Sequence, residues 1–405
     1  MPAASYDPKQ ALKDLLKADP EAQKLFSDAK DEMTAAEEEL SDREWDGQDT
    51  SYARAAVYQL DYWVSSTGDV AQVKASREHL QAALRCENPP SALTQDADGS
   101  FAPGTDVWFL KLDRSTDQLL AREWPWPRKP VFLECINDPV RMVTYLEDLC
   151  WADVARCGRD NRKELNLAIS VIARLVTKGG QAGYLSGPAF YPAFERFVLD
   201  WQDPRTGFFG MTYFTDDKGN QVRTADLSLT FHMARYTPHL IRRWPKLIDT
   251  LFGIKDGVYP QGWRDRGMIE TNHNNYDVVE LFHRGWRHML PPQRQAAAAA
   301  VPGMLSWCLK ESVGPDGRVK DVDESDPIPD SYYYAAAFFD TIGFFDRRKR
   351  FWTAEAPAGC DPVTIEKIRT GMIAELKKFS PYYTEIDDAL KRLGAPLHPW
   401  TGAVL

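Results

Sequence analysis

Between residues 203 and 345 the chain runs through one order of events three times, and that repetition limits its fold more than any other feature. Each pass is a turn with Asp and Gly, then a polar loop, then an apolar helix. The passes are "DPRTGFFGMTYFTDDKGNQVRTADLSLTFHMARY", "KDGVYPQGWRDRGMIETNHNNYDVVELFHRGW" and "PDGRVKDVDESDPIPDSYYYAAAFFDTIGFF". Gly207 and Gly257 are 50 residues apart, and Gly257 and Gly317 are 60 apart. Asp226 and His232 stand in the same spacing as Asp277 and His283, with Phe before each His, and "QDADGSF" at 95–101 reads as a degenerate copy of the turn. A period of about 50 residues suits one helical hairpin per repeat. Hairpins of this kind form either an open solenoid or a closed α/α toroid. The turn chemistry favours the toroid, with inner-helix N-termini on one rim around a central funnel, where polar loops meet.

The rest of the chain reads the same way. Residues 8–42 are charged and helix-prone, 51–86 carry two amphipathic helices, and 87–131 are rich in Pro, Gly and Asp. "WPWPRKP" cannot lie inside a helix. Helical pattern resumes at "DPVRMVTYLEDLCWADVARCG" and "RKELNLAISVIARLVTKGG", and strand-like alternation is confined to "FGMTYFT" and "GRVKDV". The expectation is an all-α chain in a single α/α-toroid domain over 1–405, with 1–50 as a charged helical N-terminal extension.

Charge narrows the partners. Asp and Glu outnumber Lys and Arg by 59 to 49, a net charge of −10, so a basic field for nucleic acid or a membrane surface is absent. A polyanionic substrate would need a local cationic patch. Six scattered Cys without CxxC spacing signal neither a disulfide framework nor a zinc site. There is no apolar signal segment and no run of 18 apolar residues, so the cytoplasm is the default expectation, or the periplasm or exterior if a leader was trimmed.

Four constellations carry chemistry. In "TNHNNYD", Asn275 or Asp277 is a candidate N-cap. A cap leaves Asn272 and His273 unexplained; ahead of it they would present an amide and an imidazole to a carboxylate. His232 and His283 follow Phe at matching repeat positions, and two such His raise the case for a funnel face over a core role, whereas His239 and His288 read as structural. Of Tyr332, Tyr333 and Tyr334, a helix can turn only one or two into the funnel; the plain alternative is packing. A phenol there, with its pKa lowered by cations, is a candidate general base and acid. In "GWRDRG", Arg264 and Arg266 could fork a carboxylate and Trp263 could stack on a sugar, or the segment is a solvated loop. "DVDESD" at 321–326 lacks the spacing of a calcium loop and reads as a solvated acidic run. No P-loop, dinucleotide fingerprint, HExxH or G-x-S-x-G occurs, so no cofactor or metal is implied.

Over about residues 180–345 the pattern resembles the α/α-toroid polysaccharide lyases that act on alginate and glucuronan. Those lyases carry an Asn-Asn-His-Ser-Tyr-Trp loop before an inner helix. Asn272, His273 and Tyr276 match it, Thr271 replaces the first Asn, two Asn follow the His, and Asp277 stands where Trp would be. The resemblance implies cleavage of a 4-linked uronate by β-elimination, without metal. Asn272, His273 and an Arg would neutralise the carboxylate, and a Tyr from a later helix, one of Tyr332 to Tyr334, would act as base and acid. Asn275, Tyr276, Trp263, Arg264, Arg266 and His283 complete the expected substrate contacts, with His232 a further catalytic candidate. Carbohydrate is then the expected partner, without nucleic acid or membrane.

Three other readings compete. An inverting glycoside hydrolase on the same toroid would need two carboxylates about 6.5–9.5 Å apart, from among Asp226, Glu270, Asp277 and Asp330. A terpene-cyclase-like toroid is suggested by "QDADGSF" and by Asp321 to Glu324, but its acid motif should end in Asp. A non-enzymatic helical repeat would need no Asn/His/Tyr cluster.

Overall fold

The computed structural model describes residues 6–120, 127–178, 184–216, 218–320, 327–357, 361–378 and 384–394. Among them are seventeen α-helices and one three-stranded sheet, so the chain is predominantly helical. The acidic run at 321–326 lies outside the described residues. No helix among the described residues is long and apolar enough to cross a membrane. The chain divides into two compact units, one of residues 1–43, 49–200 and 210–224, the other of 44–48, 201–209 and 225–405.

The first unit draws on the charged N-terminal stretch for its core. Along the helix Pro20–Trp45, the side chains of Ala22, Phe26, Ala29, Ala36 and Leu40 are buried and Met33 is half-buried. Their alternating spacing of four and three residues is one helical stripe. Half of it is alanine, which is why composition alone presents this helix as a charged surface element. The stripe packs on Ala53, Ala56, Val57, Leu60 and Val64 of the helix Ser51–Ser66. The stretch 87–131 holds two helices that turn chemistry does not announce, Trp108–Arg114 and Thr116–Leu120, each too short to display a 3.6-residue period. The expected strand in "FGMTYFT" is present. β1 (Trp151–Ala152) pairs in parallel with β2 (Thr212–Phe214), which pairs antiparallel with β3 (Gln221–Arg223). Within the described part of "GRVKDV", residues 317–320, Val319 forms an isolated bridge with Val313.

In the second unit four helices lie side by side: Leu227–Tyr236, Asn272–Gly285, Ile328–Thr341 and Thr384–Arg392. Trp244–Gly253, Pro291–Trp307 and Pro362–Leu376 alternate with them along the chain and pack against them, the connectivity of α/α hairpins. Neighbours on both sides bury most of the circumference of Asn272–Gly285, polar groups included.

The turn repeat is physical. In the second unit the Gln202 amide donates to Gly207 O at 2.8 Å and accepts Arg242 N–H at 3.1 Å, while Phe209 N–H donates to Thr230 Oγ1 at 3.1 Å. In the first unit the Gln95 amide donates to Gly99 O at 2.8 Å and accepts Arg128 N–H at 2.7 Å, while Phe101 N–H donates to Ser115 Oγ at 2.8 Å. "QDADGSF" is thus the same device as "QDPRTGFF". Both glycines have left-handed backbone (φ 83° at Gly99, 74° at Gly207). A Cβ would come within 2.3 Å of Lys129 O in one and 2.7 Å of Leu247 N in the other.

Two readings of local register change. Thr271 caps the helix of the second pass, Asn272–Gly285, accepting Asn274 N–H at 3.1 Å, so Asn272 and His273 are in the first turn and neither Asn275 nor Asp277 is the cap. Asp226, in contrast, is a true N-cap, accepting Leu229 N–H at 3.0 Å. Asp226 and Asp277 therefore occupy different helical positions despite their matched spacing to His232 and His283.

Candidate functional site

The row of helices gathers one acid–base cluster. His273, in the first turn of Asn272–Gly285, stacks on Tyr334 of Ile328–Thr341 with ring centroids 4.2 Å apart and 7° between planes. Tyr259 reaches the same imidazole from the preceding loop, its hydroxyl 3.5 Å from Nε2. The loop is fixed by Tyr259 N–H donating to Arg264 O at 2.6 Å and by Leu227 N–H donating to Pro260 O at 2.7 Å. All three side chains are half-buried, so the cluster is neither sealed nor fully solvated.

Behind it stands Asp277. The Tyr259 hydroxyl donates to its Oδ2 at 2.9 Å, and Oδ1 has no hydrogen-bond partner. Complete burial pushes this carboxyl well above the usual carboxylate range; Asp226 and Glu280 add to the rise, and the Tyr259 hydrogen bond and Arg235 oppose it. Tyr259 thus bridges the buried carboxyl and the imidazole, and which group donates across the 3.5 Å contact to Nε2 depends on the tautomer of His273.

The consecutive tyrosines part company, as helical geometry requires. Tyr332 is fully buried, its hydroxyl accepting Val319 N–H at 3.2 Å, and burial pushes its phenol up to about 12. Tyr333 turns to the edge of Tyr276, with centroids 6.1 Å apart, and burial raises its phenol too. Both move away from a useful base, and only Tyr334 meets His273.

Other expected contacts are placed elsewhere. The Asn272 amide is occupied at both ends, Nδ2 donating to Ser312 Oγ and Oδ1 accepting from Cys308 Sγ at 3.3 Å. Asn275 is buried and donates to Glu270 at 3.5 Å. Tyr276 is buried in the core, its hydroxyl accepting from Arg392 at 3.3 Å. Trp263, 5% exposed, donates Nε1 to Leu251 O at 2.9 Å and packs on Phe252 and Phe282, so no ring face is open to a sugar. Arg264 is paired with Glu270, and Arg266 is exposed. His232 stacks on Tyr236 of its own helix, with centroids 5.9 Å apart. His283 is exposed beside Phe351; ten residues at about 1.5 Å each place it about 15 Å along the helix from His273.

Among the described residues no group of three or more His, Cys, Asp or Glu could hold a metal. A separate cavity of about 630 Å³, lined by Leu305, Leu309, Trp352 and Ile368 among others, contains none of the expected site residues. Tyr259 was missed from sequence. It stands in "DGVYPQGW", which reads as turn, and only the fold brings it to His273. The chain matches no protein-family model, no curated protein and no solved structure.

Proposed function

We propose that this protein is a carbon–oxygen lyase that cleaves 4-linked uronic acid chains by β-elimination, on an α/α toroid to which the hairpin row of the second unit belongs. The observation that carries the reading is the stack of His273 on Tyr334 at 4.2 Å. Elimination needs a base near neutrality at the sugar C5 and an acid at O4, side by side. The neutral imidazole of His273 takes the C5 proton. The C–H electron pair becomes the C4–C5 double bond, the C4–O4 bond breaks, and the Tyr334 hydroxyl gives O4 its proton. The imidazolium then returns a proton to the phenolate it stacks on, closing the cycle. The first turn of Asn272–Gly285 brings the positive end of a helix dipole to the enediolate that develops. Asp277 and Tyr259 position the imidazole.

The inverting-hydrolase alternative has less support. Asp277 is the carboxyl held protonated, but it is fully buried and engaged by Tyr259, while Glu270 is paired with Arg264.

The test is ultraviolet absorbance of the unsaturated uronate during incubation with a panel of oligouronates. Wild type should generate it from at least one member. Tyr334→Phe and His273→Ala should lower the rate about 100-fold or more, the usual worth of a positioned acid or base. Tyr333→Phe should stay within a few fold. Full activity in Tyr334→Phe, or no unsaturated product from any oligouronate, overturns the proposal.

A further inference from the structure

One arginine in the second unit is surrounded by aromatic rings. The guanidinium carbon of Arg235 lies 5.7 Å from the ring centre of Phe231, 5.4 Å from Tyr236, 5.7 Å from Tyr276 and 5.8 Å from Tyr333. Arg392 approaches Tyr276 and Tyr333 at 5.6 and 5.9 Å. Both guanidiniums address Asp388, Arg392 through Nε at 2.9 Å and Arg235 at 3.6 Å. Arg392 also gives Nη2 to the Tyr276 hydroxyl at 3.3 Å and lies 3.6 Å from Asp340, which is itself paired with Lys349. Glu280 nearby is neutralised by Arg284 at 2.8 Å. Three cations thus face two carboxylates, leaving one positive charge in excess.

That excess sits at Arg235. Its loose ion pair to Asp388 is too long for a hydrogen bond, and it makes none to a described residue, although its side chain is only 20% exposed. Walled by rings, the guanidinium has lost much of its water and keeps a fork of N–H donors for an incoming acceptor. A planar carboxylate meets such a fork with two parallel hydrogen bonds, strengthened where water is excluded. The chain is acidic overall, so a local cationic patch of this kind is what an anionic substrate requires.

The position relates it to the acid–base pair. Tyr333, against which both arginines pack, has its ring 5.2 Å from Tyr334, which stacks on His273. We infer that Arg235 and Arg392 form a carboxylate subsite beside the His273–Tyr334 pair, taking the acid group of the sugar unit next to the one that loses its proton. The carboxylate assignment stands on the arginines alone; the placement along a chain rests on the lyase reading.

Calorimetric titration of the full chain tests it without turnover, with glucuronate, glucose and inorganic sulfate as probes, none of which has a glycosidic bond to cleave. Wild type should bind glucuronate, and not glucose. Arg235→Gln should weaken uronate binding about tenfold or more, and Arg235→Lys, which keeps the charge and loses the fork, should fall between. Equal affinity for glucose and glucuronate, wild-type affinity in Arg235→Gln or Arg235→Lys, or Arg235-dependent binding of sulfate without uronate would each overturn the subsite. Arg235-dependent uronate binding without cleavage would keep the subsite and remove the lyase reading; cleavage insensitive to Arg235 would do the reverse.

Discussion

Tyr332, Tyr333 and Tyr334 are identical in chemistry and adjacent in sequence, and about 100° of helical rotation gives each a different environment. One supports a hairpin backbone, one packs on arginines, one stacks on an imidazole. Sequence alone narrows the choice to three, because the rotational phase of an almost wholly buried helix leaves no polar stripe to read. Asp277 makes a second argument at this scale. Its folded carboxyl keeps a proton above the pH at which an unfolded Asp loses it, so between about pH 4 and the folded value the native state binds more protons and loses stability as pH rises. Asn in its place can still accept from Tyr259 and has no charge to bury. The melting temperature of Asp277→Asn relative to wild type should therefore climb as pH goes from about 4 to neutrality. A difference that stays flat, or falls, would show the carboxyl ionised in the fold.

At the scale of elements, the repeat was legible through its glycines and through the order of turn, loop and helix. What the letters could not give was the register of helix onto turn. Asp226 and Asp277 share a spacing to His, yet one is a cap and the other lies inside a helix, because Thr271 supplies a cap oxygen six residues earlier. His273 thereby moves from a loop into a helix's first turn, where a fixed backbone aims it. The two glutamine-latched turns allow a matched prediction. Gln202→Ala and Gln95→Ala each leave a glycine carbonyl and an arginine N–H without their side-chain partner, in turns where the glutamine is at most 9% exposed. Each should cost about 1–3 kcal/mol in denaturant unfolding. A loss in one and none in the other would mean that the turns are not equivalent.

For the molecule as a whole, a helical chain with few strands was readable, since strand alternation is scarce and helical periods recur. The N-terminal stretch was not. Charge dominates its composition, and its burying face is Ala, Phe, Ala, Met, Ala and Leu, too small in total hydrophobicity to stand out. Phe26 is the largest side chain of that face and is 4% exposed. Phe26→Ala should cost about 3–5 kcal/mol, read as a lowered denaturation midpoint; a cost under about 1 kcal/mol, typical of surface sites, would return residues 8–42 to the role of a solvated extension. The central claim concerns chemistry, and the most direct measurement is mass spectrometry of the products of a short oligouronate. Elimination predicts product masses that sum to the substrate and an unsaturated non-reducing end, with Tyr334→Phe yielding almost none. Product masses that sum to the substrate plus one water, with no unsaturated end, would mean hydrolysis and would contradict the account.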